Sequence, residues 1–297
     1  MAGTDNLGSN LSTVWSIPAQ VSTLQKVNNA TKLRDVHKPK MATDGALINF
    51  TCNVCGNKVS TFRQADLTRE TGPCPQCGAI VRLRALAYLV GKALFETDLP
   101  VTKWPKRPDL RGVGVSDWPA FANIYSPKFS YVNTQFDRAR YTEQPFLDIT
   151  NPGSEFIGSC DVVSCSEVLE HVEPPIQRAF DGLFAMLKPG GTLVFTVPFV
   201  FGKTIEHFPE LHDWTLAERN GKRTVFNATV DGRLQEFSPL VFHGGGSSVL
   251  EMRVFGRDDL LDNLRTAGFR DIHVRRDVLK YGIRNGVAWS RPITAKR

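Results

Sequence analysis

Cys52-x-x-Cys55 and Cys74-x-x-Cys77 stand eighteen residues apart. Two such pairs at that distance fit the four-thiolate pattern of a zinc site. Zinc takes four tetrahedral ligands and has no redox chemistry, so a closed set of four cysteines predicts a structural Zn2+. Gly56 and Gly78 directly follow the two pairs. Glycine there permits the tight turn that lets backbone N–H groups face the sulfurs. A module of this size cannot bury enough core to fold alone, and metal ligation can supply ~10–16 kcal/mol. Two disulfides or a redox pair are the rival readings, and a cytosolic setting disfavours disulfides. Cys160 and Cys165 bracket an apolar run and are expected to pack in a core.

The elements that could position chemistry are clearest in residues 160–201, which read as strand, helix, strand. Asp161 to Cys165 is too short for a helix of its own. From Pro174, the residues Ile176, Phe180, Leu183, Phe184 and Leu187 recur at helical spacing, and Pro189-Gly190 predict the stop. Thr192 to Phe199 is β-branched and aromatic, as in a strand. Two parallel strands joined by a helix imply a right-handed crossover in a doubly wound sheet. Ligands of such sheets sit at the carboxyl ends of the strands. That makes 164–171, with Ser166 and Glu167, and 198–201 candidate pocket walls.

This unit resembles the class I S-adenosylmethionine-dependent methyltransferases (type 11-like), through DVVSCSEVLEHV and LKPGGTLVFTVP. The cysteine module resembles the zinc-ribbon head of some bacterial methyltransferases, whose second knuckle reads CPxCGxxxRxR. Here it is CPQCGAIVRLR, with Arg82 and Arg84. The resemblance implies that these arginines dock the ribbon on the catalytic domain or reach substrate; plain helix-surface charge is the alternative. The resemblance also implies an α/β fold: a Rossmann-like, doubly wound, mostly parallel sheet with a small N-terminal zinc ribbon and an inserted β-meander. The cofactors implied are S-adenosylmethionine and a structural Zn2+.

On that resemblance, LRGVGVS should form the glycine-rich turn after the first strand, with Gly112, Gly114 and Ser116 at the cofactor. The family's acidic residue before these glycines is absent, and Gly112 takes its place. Strand two, Phe129 to Thr134, ends in Asn133 where the family has an acid, so Asn133 or Asp137 is the expected acceptor for the ribose diol. Strand three is expected to end at Leu147-Asp148-Ile149-Thr150. There, Asp148 would accept from the adenine amino group and the N–H of Ile149 would meet the ring. A turn or cap role is the alternative for Asp148.

Methyl transfer from a sulfonium is an in-line displacement, and alignment can contribute ~7–11 kcal/mol. A hydroxyl nucleophile also needs a base, for which histidine is suited near neutral pH. His171, in the EHV tail, and His212, next to Asp213, are the catalytic candidates; His207 and His243 are further histidines of the same region.

The chain has 297 residues, 41% hydrophobic and 22% charged, as in a soluble globular protein. Residues 1–45 read as a mobile tail, 46–95 as the ribbon plus a helix over Val81–Phe95, 96–109 as a proline-rich linker, and 110–297 as the methyltransferase domain. An insertion of about 200–255 holds the meander, with strands 223–230 and 233–237 around Asp231-Gly232. Residues 257–268 read as a helix and 271–275 as a closing edge strand. No stretch approaches the ~20 apolar residues of a membrane span. The first residues lack a basic-then-apolar leader pattern, so a cytoplasmic setting is expected.

The net charge of +6 is matched by residues 275–297, where seven basic residues face one acidic one. This reads as a solvated basic tail rather than a nucleic-acid-binding face. The expected function is methyl transfer to a small-molecule or glycan acceptor, most often at oxygen. The Asn/Asp-Pro-Pro-Tyr/Phe motif of amino-group base methyltransferases is missing after DVVSCSEVLEHV. The alternatives are an RNA methyltransferase that grips nucleic acid through the ribbon, and a non-catalytic binding module. The motifs do not encode the acceptor atom or the oligomeric state.

Overall fold

The computed structural model describes residues 45–242, 249–284 and 291–297. The expected N-terminal tail, save Gly45, and His243 with its glycine run lie outside the described residues. Two compact units form: Glu210–Leu240 belong to one, and the remaining described residues to the other.

The larger unit opens with a hairpin of β1 (Leu47–Thr51) and β2 (Lys58–Arg63), whose connection holds the first cysteine pair. Helix α1 (Val81–Phe95) follows at the expected limits. Its expected face is buried at Leu83, Leu86, Ala87 and Val90, and Leu94 is half-buried. Next come β3 (Arg107–Val115), α2 (Ala120–Tyr125), β4 (Phe129–Thr134) and β5 (Cys160–Ser166). Between α1 and β3, in the stretch read as linker, Trp104 is buried and stacks on Tyr125 at 5.7 Å.

Helix α3 (Gln177–Met186) ends earlier than Pro189-Gly190 implied. Leu187 already pairs with Cys160, so LKPGG opens strand β6 (Leu187–Thr196) instead of closing the helix. Two-residue strands β7 (Phe199–Val200) and β8 (Ile205–Glu206) come next.

The smaller unit is an antiparallel meander of β9 (Asp213–Arg219), β10 (Lys222–Ala228) and β11 (Leu234–Phe237). Strand β10 stops before the expected Val230. Thr229 N–H donates to the Arg233 carbonyl at 2.9 Å, which makes the Asp231-Gly232 turn a longer loop than the two-residue hairpin read from sequence.

Back in the larger unit are β12 (Arg253–Gly256), α4 (Arg257–Thr266), β13 (Arg270–Val274) and β14 (Ile293–Lys296). The main sheet has six strands in the order β13-β14-β6-β5-β3-β4, with β4, β3, β5 and β6 parallel and β14 antiparallel to both its neighbours. Its residues alternate between two cores, as the pleat requires. Val163, Cys165, Leu193 and Phe195 face α3 and α4, whereas Val162 and Val194 face α1, α2 and the ribbon.

Two expectations are corrected here. The third strand is reduced to a single parallel bridge between Gln135 and Phe146, so 147–150 is a turn. Pro145 has no N–H to extend a ladder. The basic segment is partly structural: β14 inserts between β13 and β6, and Arg297 donates to the carbonyls of Phe184, Ala185 and Leu187.

Candidate active site

The four cysteine sulfurs lie within 4.8 Å of one another. Cys52 and Cys77 are separated by 3.7 Å, as are Cys55 and Cys74. A sulfur tetrahedron at ~2.3 Å from a central ion has edges of about 3.8 Å, so the spacing fits a four-coordinate metal. Gly56 and Gly78 take φ of +82° and +77°, the left-handed turn that the sequence implied. Their N–H groups donate to the carbonyls of Cys52 and Cys74 rather than to sulfur. The N–H groups of Cys55 and Val54 face Cys52 instead.

The neighbouring Cys77 thiol holds Cys52 down to about 5, while the same contact and burial drive Cys77 up. Cys160 and Cys165 are buried in the core, as expected.

A cavity of about 900 Å³ opens at the carboxyl ends of β3, β4 and β5. Its walls are 115–119 after β3, 135–137 after β4, the 147–150 turn, 166–168 at the end of β5 and 171–173. The ribbon side adds Gly78, Ile80, Arg82 and Leu83. The expected wall at 198–201 is absent from it, because Phe199 packs into the core and pairs with Phe255.

Ser116, Asp148, Ile149, Ser166, Glu167 and His171 all line this cavity. Ser116 and Glu167 take φ of +51° and +58°, a conformation that costs a non-glycine residue of order 1–3 kcal/mol. Asp148 Oδ1 accepts from the Thr150 N–H at 2.8 Å and from its hydroxyl at 2.7 Å, so the residue closes its own turn at the cavity edge. The Ser166 hydroxyl accepts from Arg82 at 2.6 Å and lies 2.9 Å from Thr196 Oγ1, which commits it to protein partners.

Gly112, Gly114 and Asn133 lie behind the wall. A Cβ at Gly112 would stand 2.5 Å from the Phe129 ring, and one at Gly114 would stand 2.0 Å from the Tyr131 hydroxyl. These glycines therefore make room for aromatic packing across β3 and β4. Asn133 is buried and exchanges two hydrogen bonds of 3.0 Å with the Asp117 backbone, which fixes the turn after β3. The Asp117 side chain is itself buried. Burial pushes this carboxyl up to about 6, and Tyr131 donates to it at 3.1 Å.

The His171 turn is held from behind by residues 250–253. His171 Nδ1 lies 2.8 Å from the Leu250 carbonyl, Met252 N–H donates to the Glu170 carbonyl at 2.7 Å, and the buried Arg253 guanidinium donates to the carbonyls of Leu169 and Val172. A ring nitrogen facing a carbonyl must carry the proton, so Nε2 is the basic nitrogen. It lies 3.8 Å from Oε1 of the fully buried Glu170, whose carboxyl burial raises to about 7. His207 is half-buried at 3.2 Å from Glu251 and lines no part of the cavity. His212 belongs to the meander unit, where its N–H donates to Asn227 at 2.8 Å. Among the described residues, the His212 ring makes no hydrogen bond to Asp213.

Arg82 and Arg84 are not surface charges. Arg84 is fully buried and donates to the carbonyls of Gly72, Ala79 and Gly282. Arg82 forks onto Glu70 and reaches Ser166. Arg82 docks the ribbon onto the sheet, and Arg84 ties it to the turn at Gly282.

A mostly parallel, doubly wound sheet with a cavity at its carboxyl edge defines an α/β fold of the Rossmann-like class. Residues 100–236 match the family model described as a methyltransferase domain. Several solved structures are similar. One is the 1,6-didemethyltoxoflavin-N1-methyltransferase of Burkholderia thailandensis with bound 1,6-didemethyltoxoflavin and S-adenosylhomocysteine. It shares 14% identity at a TM-score of 0.40, over 72% of this chain and 78% of that one. Another is an S-adenosylmethionine-dependent methyltransferase of Mesorhizobium loti, with 16% identity and a TM-score of 0.40, over 66% and 94%. A third is an amino pentose methyltransferase of Micromonospora echinaspora, with 16% identity and a TM-score of 0.38, over 64% and 85%. Comparison with curated proteins gave no match. Among the described residues, no helix is long and apolar enough to cross a membrane.

Proposed function

We propose that this protein methylates a hydroxyl group of a small molecule or glycan, with zinc held by Cys52, Cys55, Cys74 and Cys77 and with His171 as the base. The observation that carries the reading is the roughly 900 Å³ cavity with His171 in its wall. That volume lies at the upper end of small-ligand sites, with room for a donor and a compact acceptor together.

S-adenosylmethionine supplies an activated methyl carbon on a sulfonium. The protein's task is to hold an acceptor oxygen in line with that carbon and to take its proton. His171 Nε2 receives the proton, because Nδ1 is engaged with Leu250. Glu170 behind it favours the imidazolium when ionised. Asp148, Ile149, Ser116 and Glu167 are the donor-side residues. Asp148 Oδ2 makes no hydrogen bond among the described residues, which leaves it able to accept from an adenine amino group. A reducing cytoplasm keeps the four thiols available to zinc.

The RNA reading loses its support, because it needs Arg82 and Arg84 at a phosphate. Arg84 is enclosed by three carbonyls, and Arg82 is held by Glu70 and Ser166.

The test has two arms. Calorimetry with S-adenosylhomocysteine should show binding to the zinc-loaded protein, weakened about tenfold by Asp148→Ala. Methyl-labelled donor should then mark an ether oxygen in a panel of hydroxylated sugars and small aromatics. Label entering RNA instead, or ending on nitrogen or carbon, overturns the reading.

A further inference from the structure

We infer that the zinc ribbon is half of the donor site: metal ligation and donor binding are coupled through Arg69 and Arg82, which clamp the Ser166-Glu167 turn. The inference rests on the reading of the cavity as the donor site.

The two arginines flank the second cysteine knuckle. Arg69 precedes Cys74 by five residues and Arg82 follows Cys77 by five. The segment between them is folded back on itself: Arg82 N–H donates to the Arg69 carbonyl at 3.0 Å, and Val81 N–H to the Thr71 carbonyl at 3.3 Å. Cys74 N–H donates to the Ala79 carbonyl at 3.0 Å, and the buried Arg84 guanidinium ties the Gly72 and Ala79 carbonyls together. A loop this short has little apolar core of its own, so ligation of Cys74 and Cys77 is what holds it in one shape.

From this loop the side chains reach the carboxyl end of β5. The Arg69 guanidinium forms an ion pair with Glu167, both side chains being largely buried. Arg82 donates to the Ser166 hydroxyl at 2.6 Å. Ser166 and Glu167 are adjacent, line the cavity, and make the turn in which Glu167 has φ of +58°. A residue in that conformation persists only where its surroundings hold it. Here the holding groups are the Glu167 N–H bond to Thr196 at 2.9 Å and the two ribbon arginines. Gly78, one residue past Cys77, is itself in the cavity wall. Arg69 and Arg82 are thus positioning residues: loss of metal releases the loop, the loop releases the turn, and the donor wall loses its shape. Coupling of this kind is reciprocal, so the donor product must tighten zinc as zinc tightens the donor product.

The test measures zinc affinity of the full-length wild-type protein by competition with a chromogenic chelator, with and without saturating S-adenosylhomocysteine. Zinc should bind about fivefold or more tightly with the nucleoside present. Arg82→Lys and Arg69→Lys should keep one zinc per chain by metal analysis, bind S-adenosylhomocysteine about tenfold more weakly, and lose the mutual effect. Equal zinc affinity with and without nucleoside overturns the inference, even if a variant misfolds, because that arm uses the wild type. Full retention of the mutual effect in both folded variants overturns the arginine route. Absence of nucleoside binding to the wild type is a different result: it removes the donor reading itself, and this inference with it.

Discussion

Arg82 Nη1 lies 2.6 Å from Ser166 Oγ, across 84 positions of sequence. One end of that bond is on the first turn of α1, directly after the cysteine knuckle, and the other is at the carboxyl tip of β5. The cysteine module and the cavity therefore share a wall, and the charge that sequence reading left between docking and solvent is an internal brace.

Arg84 is the more consequential arginine for folding. Its guanidinium serves three carbonyls from inside the core and lies over the Phe50 ring at 4.9 Å. Arg84→Ala should strand those acceptors and lower stability by on the order of 3 kcal/mol or more. Urea denaturation of the zinc-loaded protein measures this, and a shift well below 1 kcal/mol would contradict the packing described.

The cysteines divide into two groups by role. Cys74→Ser should lower zinc content and loosen residues 46–80 toward proteolysis. Cys160→Ser, in the apolar core, should keep a full zinc complement and cost only about 1–3 kcal/mol for its buried hydroxyl. Metal analysis together with limited proteolysis separates the two.

His171→Asn should lower kcat by about 10²–10⁴-fold on a hydroxyl acceptor while leaving S-adenosylhomocysteine affinity within about twofold. The rise of rate with pH in the wild type should flatten in the variant. A variant with unchanged kcat would remove His171 from the chemistry.

Glu170 gives a stability dependence of definite sign. Burial, first among its causes, raises this carboxyl to about 7. The folded state keeps the proton where the unfolded chain, with an ordinary carboxyl value near ~4.3, has lost it. The stabilisation is complete below that lower value and is lost as pH rises through about 7. Glu170→Gln should remove a loss on the order of 3 kcal/mol between pH 4.5 and 7.5. Urea midpoints of wild type and variant at several pH values give the comparison, and parallel curves would show that Glu170 is already ionised in the fold.

The parts legible in the sequence were local or periodic. The cysteine spacing announced a sulfur tetrahedron, because a closed metal site needs two tight knuckles and little else. Helix α1 was bounded correctly, since its apolar face repeats at helical spacing and Glu96 ends it in the left-handed conformation. The LKPGG stretch misled: proline and glycine marked the end of a helix that had ended three residues earlier, because pairing of Leu187 with Cys160 outweighed the local signal. Gly112 and Gly114 misled in the same way. A glycine that admits a ligand and a glycine that admits the Phe129 or Tyr131 ring look alike until the neighbouring strand is in register.

By itself, the chain's order of residues determined the cysteine knuckles, the βαβ unit and hence the doubly wound class. Each depends on groups a few positions apart or on a repeating period. Only the tertiary structure decided that Arg69, Arg82 and Arg84 brace the ribbon, that Glu170 stands behind His171, that Asn133 serves the Asp117 turn and that the last strand completes the sheet. Those roles depend on burial and on contacts between distant segments, and a side chain's charge, hydrogen-bond partner and protonation follow from the surroundings that folding brings to it.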